Sequence, residues 1–164
     1  MEGHQASSQA RAFDTIFLGG MAIGVLDFLD ASLFFTSYFD IPFARVWQGV
    51  AAGLLGPEAA RAGGSSTAFL GIVLHFVVAF AIATVYFTAT RYTSFLTRHP
   101  VIAGLLYGVI ANFVMQNVVI PLSVIGWRST PFDLWVFLNG VIGHALLVGL
   151  PVALIAAWSA RKGA

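Results

Sequence analysis

The chain contains no cysteine. Disulfides, thiolate-held metals and cysteine nucleophiles are therefore excluded. Charge is nearly as scarce: Asp, Glu, Lys and Arg make up 9% of the 164 residues, against about a quarter in a soluble globular domain. With 59% hydrophobic residues, this is not the composition of a water-soluble protein. A formal net charge of +1 gives nucleic acid nothing to bind and points to no acidic partner. Also missing are a phosphate-cradling glycine loop, a metalloprotease helix and a serine nucleophile elbow. No catalytic residue is singled out by motif or by spacing.

What the chain has in abundance is long apolar runs. A bilayer crossing takes roughly 20 apolar residues, and four runs qualify: Phe13 to Phe39, Thr67 to Thr90, Pro100 to Ile120 and Phe132 to Trp158. The expected fold class is an all-α integral membrane protein, a four-transmembrane-helix bundle forming one domain over residues 1–164. The first run is too long, and too interrupted by aspartate, for a secretory signal, and no small-residue cleavage site follows it. It is expected to stay in the mature protein.

Between the first two runs lies IPFARVWQGVAAGLLGPEAARAGGSS. Pro42 suits a helix start, Gly56-Pro57 a stop, and Val46, Trp47, Val50 and Leu54 recur at helical spacing. A helix of about fifteen residues cannot span, so residues 42–55 read as an interfacial or re-entrant helix, with a surface position favoured. The segment GPEAARAGGSS reads as a flexible return.

Four crossings place both termini and the loop from Arg91 to Arg98 on one side. That side carries Arg11, Arg91, Arg98, Arg161 and Lys162, against Arg45, Arg61 and Arg128 opposite. The excess of basic residues assigns the termini to the cytoplasm. Trp47, Trp127, Trp135 and Trp158 fall near span ends or in flanking loops, as an aromatic belt would.

Against this background Asp27 and Asp30, within GVLDFLDASLFF, are anomalous. Two aspartates at a bilayer centre cost roughly 5 to 7 kcal/mol, while the Leu, Ile, Phe and Val residues of that run return roughly 4 to 8. The balance is near zero, so the helix needs partners for its acids. Gly20, Gly24, Asp27 and Ala31 share a stripe about 60° wide, and Gly71, His75, Ala79 and Tyr86 one about 80° wide. Asp27 is thus expected to face a neighbouring helix along a row of small residues.

Depth groups further residues with these. At 1.5 Å per residue, Asp27, Asn112 and His144 lie within about 3 Å of the midplane, and Asp30, His75, Gln116 and Asn139 roughly 4 to 10 Å toward the outer face. Every span contributes to this polar layer. Ionisable groups at such depth face a bundle interior and pair with one another, so Asp27 or Asp30 is expected to pair with His75 or His144. The amides Asn112, Gln116, Asn117 and Asn139 are read chiefly as helix cross-links. Pro151 and Pro121 remove the donors that would bond the carbonyls of Leu147 and Asn117. Gly20, Gly24, Gly104 and Gly108 read as helix-packing positions, whereas His4, His99 and the two chain ends read as ordinary loops and tails.

GMAIGV and GLLYGV in the first and third spans, with GIVLH and GVIGH in the second and fourth, suggest two repeated hairpins. Under such a repeat His75 and His144 correspond, which makes a bis-histidine b-type haem a minor alternative; no cofactor is otherwise expected. The glycine-rich first span, the second-span histidine, AGLLYGV from Ala103 to Val109, and Gly143-His144 resemble small bacterial inner-membrane proteins of the YagU-like kind. The chain lacks the proline-rich segment expected after their first span. The resemblance implies a bacterial inner membrane and supplies no catalytic residues.

The leading functional expectation is a conduit or transporter for a proton, a cation or a small polar solute. Asp27 and Asp30 would titrate, with His75 and His144 as partners and the amides as lining. The alternative is an accessory or scaffold subunit. In either case the expected partners are the lipid bilayer and a second copy or another membrane protein, not nucleic acid.

Overall fold

The computed structural model describes residues 11–127 and 131–162. Arg128, one of the basic residues used to orient the chain, lies outside the described residues, as do His4 and both chain ends. Helix accounts for 87% of the structure, and the described residues contain no strand.

Four helices are long and apolar enough to cross a membrane: α1 (Arg11–Tyr38), α4 (Gly64–Thr90), α6 (Pro100–Leu122) and α7 (Leu134–Lys162). Three shorter ones connect them: α2 (Phe43–Leu55), α3 (Pro57–Ala62) and α5 (Phe95–Arg98). Pro100 opens α6 at its first turn, where the missing N–H has no partner to lose. Asp133 caps α7, its carboxylate accepting from the backbone of Trp135 at 2.8 Å and Val136 at 3.0 Å. That cap is why α7 begins at Leu134 rather than at Phe132.

The connection after α2 is not the loose return that its glycines imply. Gly56, at φ +83°, breaks α2 in a conformation that side chains resist. Pro57 then starts α3 at once. The Thr67 hydroxyl donates to the carbonyl of Ala60 at 2.6 Å, tying this short helix back onto α4.

α1 packs on α4 and α7, and α6 packs on α7. The shared core joins Ile23 of α1, Ala79, Ala83 and Tyr86 of α4, and Val148 and Val152 of α7, all nearly inaccessible. With Ala153 and Ala156 of α7, half of this core is alanine, whose short side chain lets helix backbones approach. At the terminal end, the buried Ser159 donates to Asp14 at 3.1 Å, joining the start of α1 to the end of α7.

Helix α2 has one exposed face and one buried face. It buries Trp47, Gln48, Ala51 and Ala52 against α4. Contact is so close that a methyl group on Gly71 would overlap the Trp47 carbonyl. The Gln48 amide donates to Gly64 at 2.8 Å, and Gly53 accepts from the backbone of Val124 at 2.9 Å. α2 therefore bridges the first half of α4 and the end of α6.

Three segments widen to π-helical turns: Asp14–Leu18, Met115–Val119 and His144–Gly149. The last two stop two residues before Pro121 and Pro151. A proline cannot donate and its ring crowds the carbonyl four residues back. The ladder shifts instead, Ile120 bonding Met115 and Leu150 bonding Ala145, each five residues back.

Candidate functional site

Packing of α1, α4 and α7 on one side, with α2 bridging to α6, leaves α4 and α6 apart and forms a half-open cavity of about 640 Å³. Ligand cavities commonly measure about 300–1,000 Å³. Its walls are mostly aliphatic, and its polar groups are few: Asp27, His75, His144, Gln116, Ser123 and Arg45. Asp27 comes from α1, His75 from α4, Gln116 and Ser123 from the end of α6, His144 from α7, and Arg45 from α2. Two of the three π turns contribute to this wall, Met115–Val119 through Gln116 and His144–Gly149 through His144. Widened turns of this kind are frequent at functional sites.

At the end nearer the chain termini, beyond Ile82 of the cavity wall, tyrosines draw α4 and α6 together. The Tyr107 hydroxyl donates to the carbonyl of Ile82 at 2.7 Å, and that of Tyr86 to Leu96 at 3.0 Å. The two rings meet edge to face with centroids 4.9 Å apart. At the opposite end stand α2 and the Ser123 turn.

The centre of the site is the pair His75 and Asp27. The imidazole Nε2 lies 2.9 Å from the carbonyl oxygen of Gly24, one turn before Asp27 on the same face of α1. A carbonyl can only accept, so Nε2 carries the hydrogen. Nδ1 is left facing the Asp27 carboxylate, at 3.9 Å. That separation exceeds a hydrogen bond and falls within ion-pair range. The ring is held by Trp47, edge to face at 5.1 Å, and by Phe28, which stacks on the indole at 4.5 Å and lies 6.4 Å from the imidazole. With one hydrogen fixed on Nε2, a second proton has two acceptors, Nδ1 of His75 and a carboxylate oxygen of Asp27. Asp27 accepts no hydrogen bond from any described residue; its side chain keeps 20% exposure and lines the cavity.

The other residues of the expected polar layer divide between wall and packing. Asp30 accepts from the Asn139 amide at 2.9 Å and packs against Gly143, bridging α1 and α7 outside the cavity. Its partner is an amide rather than an imidazole. His144 and Gln116 line the cavity, and neither forms a hydrogen bond with the described residues. Asn112 is buried against Gly140 with its side-chain oxygen unpaired, apart from the cavity. Asn117 donates to the carbonyl of Phe113 within its own helix.

The glycines behave as close-approach positions. Gly104 and Gly108 press onto the backbone of Gly149, Leu150, His144 and Ala145, while Gly20 and Gly24 lie under the rings of Phe80 and Phe76. Gly71, under Trp47, does the same and was not among the packing glycines expected. Sequence reasoning also passed over Trp47, Tyr86 and Tyr107. Trp47 looked like a belt residue, and neither tyrosine was given a role; the only signal was that Tyr86 shares the face of Gly71 and His75.

No family model matches the chain, and neither does any curated protein or solved structure. The functional reading therefore rests on the site itself.

Proposed function

We propose that the protein is a multi-pass membrane protein that moves protons through the cavity between α4 and α6 and exchanges them there for a small solute. The observation that carries this reading is the Asp27–His75 pair. A carboxylate and an imidazole with one shared proton position open onto a cavity large enough for a solute, in helices whose surroundings penalise charge. Protonation alternates between an ion pair and a carboxylate left free toward the cavity, which is the chemistry a proton-coupled carrier needs. His144 and Gln116 offer further polar contacts along the wall. A bacterial inner-membrane setting with both termini in the cytoplasm, and kinship with the YagU-like proteins, belong to the same proposal.

The scaffold alternative draws on glycine stripes and on α2 as contact surfaces. Both are already used inside the chain, by Phe76, Phe80, α7 and α4. A bis-histidine haem needs a free ring nitrogen on His75, whose Nε2 is bonded to Gly24 and whose Nδ1 faces Asp27.

The test is proton movement in proteoliposomes holding a trapped pH dye, after imposing a pH gradient with and without a potential. The wild-type chain is expected to dissipate the gradient, and Asp27→Asn to slow it at least tenfold. His75→Gln is expected to do the same. Rates equal to those of empty vesicles for the wild type, or equal rates for wild type and Asp27→Asn, would overturn the reading.

A further inference from the structure

We propose that the solute taken by this cavity is an organic cation with an apolar body, a protonated or quaternary amine whose charge sits against Asp27. The inference deepens the reading above and rests on it.

Three features of the site select that class. First, among the described residues the Asp27 carboxylate is the only acid lining the cavity, and none of them donates a hydrogen bond to it. An acceptor in that state favours a cationic guest over a neutral one. Second, the remaining wall is chiefly aliphatic, including Ile23, Val50, Val78 and Val148, which suits an alkyl or aryl body and gives a hydrated metal ion nothing to replace its water. Third, the volume of about 640 Å³ exceeds what a bare proton or alkali ion requires and falls in the range of small-molecule sites.

The charged and titratable groups facing Asp27 decide when the cation is held. From α4 comes His75, at 3.9 Å; from α7, His144 on the cavity wall; from α2, Arg45, exposed and lining the same cavity. α6 lends only the neutral Gln116 and Ser123 among its cavity residues, and on α1 itself Asp30 is turned to Asn139. Arg45 is a fixed charge on an exposed side chain, where solvent screens it. His75 is the variable one. When it is an imidazolium, it neutralises Asp27 and competes with the guest. When it is neutral, Nε2 keeps its hydrogen on Gly24 and Asp27 is released to the amine. Binding the cation at the pair thus expels the second proton to water, one positive charge replacing another.

The test uses the full-length chain in nanodiscs. Benzyltrimethylammonium is the probe, and neopentylbenzene, its uncharged carbon isostere, is the control. At pH 8 the ammonium is expected to bind the wild type at least tenfold more tightly than the isostere. Asp27→Asn is expected to remove that preference while leaving the isostere's affinity within about twofold, which shows that the cavity survives the substitution. Lowering the pH from 8 to 5 is expected to weaken ammonium binding, because the proton and the ammonium compete for the same carboxylate. His75→Gln is expected to flatten that dependence. Calorimetry in two buffers of different ionisation enthalpy at pH 6 should report proton release on binding. Equal affinity for the two probes, or an Asp27→Asn variant that binds the ammonium as the wild type does, would overturn the assignment. If that happens while Asp27→Asn still blocks dissipation of a pH gradient, only the cation falls; if proton movement is also absent, the carrier reading falls with it.

Discussion

Two helix pairs in this molecule carry the same glycine spacing and use it differently. In α6–α7, Gly104 and Gly108 rest directly on the opposing backbone, and Gly149 returns the contact on Gly104 and Gly108. In α1–α4, Gly20 and Gly24 are covered by the rings of Phe80 and Phe76, and the Gly24 carbonyl takes the His75 imidazole. The difference lies in what stands opposite. Ala145 and Gly149 allow backbones to touch; Phe76, Phe80 and His75 hold them a side chain apart. The first pair is sealed by shape. The second leaves room, and α2 and the cavity occupy it. Small-residue spacing thus sets where helices approach, while the facing helix decides whether the result is a seam or a site.

The largest expected effect comes from breaking the seam. A methyl group on Gly108 would overlap the carbonyl of His144 and the Cα of Ala145, neither of which can swing away. A methyl on Gly20 meets only the rim of the Phe80 ring, which can rotate. Gly108→Ala is therefore expected to destabilise by about 3 kcal/mol or more, and Gly20→Ala by about 1, from the range for overpacked sites. Thermal unfolding of the purified protein in one detergent checks the ranking. Equal losses would mean that the two pairs do not differ as described.

That contrast also marks how far the sequence could be read. Hydropathy alone placed helices of spanning length where the structure has them, because backbone polar groups in an apolar run have no partner but the helix itself. The cap at Asp133 moved the start of α7 from Phe132 to Leu134, and Pro100 opens α6 where its apolar run begins. The stripe holding Gly24 and Asp27, and that holding Gly71 and His75, meet each other in the structure. What escaped were interactions that depend on the facing helix. Asp30 and Asp27 are one turn apart, yet Asp30 found Asn139 on α7 and Asp27 found His75 on α4. Trp47 has the composition of an interfacial residue and the position of a core one. The π turns carry no residue pattern of their own beyond a proline shortly after.

A smaller effect is expected where the two pairs are tied together beyond the Ile82 end of the cavity. Tyr107→Phe removes the hydroxyl that α6 donates to Ile82 of α4. The carbonyl keeps its place in the α4 ladder, so the loss is the net worth of one hydrogen bond, about 0.5–1.5 kcal/mol. The same unfolding measurement should place this variant between wild type and Gly108→Ala. A loss as large as that of Gly108→Ala would show that the tyrosine contact, and not the glycine seam, holds α6 in position.

The smallest effect belongs to the second bridge between the pairs, from Asp30 of α1 to Asn139 of α7. Single substitutions confound the bond with packing, since Asp30 also fills the space beside Gly143. A double-mutant cycle with Asp30→Ala and Asn139→Ala isolates it. Polar contacts between membrane helices couple by about 0.6 kcal/mol on average and reach about 1.7, so a coupling inside that span is the expected outcome. The reason for expecting so little is that a chain unfolded within a bilayer also finds partners for its polar groups. Proton movement should be unchanged in Asn139→Ala, because Asp30 lies outside the cavity wall. If removing Asn139 instead alters the pH dependence of transport, then Asp30 reaches the cavity once its amide is gone, and the division of labour between the two aspartates is set by Asn139 rather than by their places on α1.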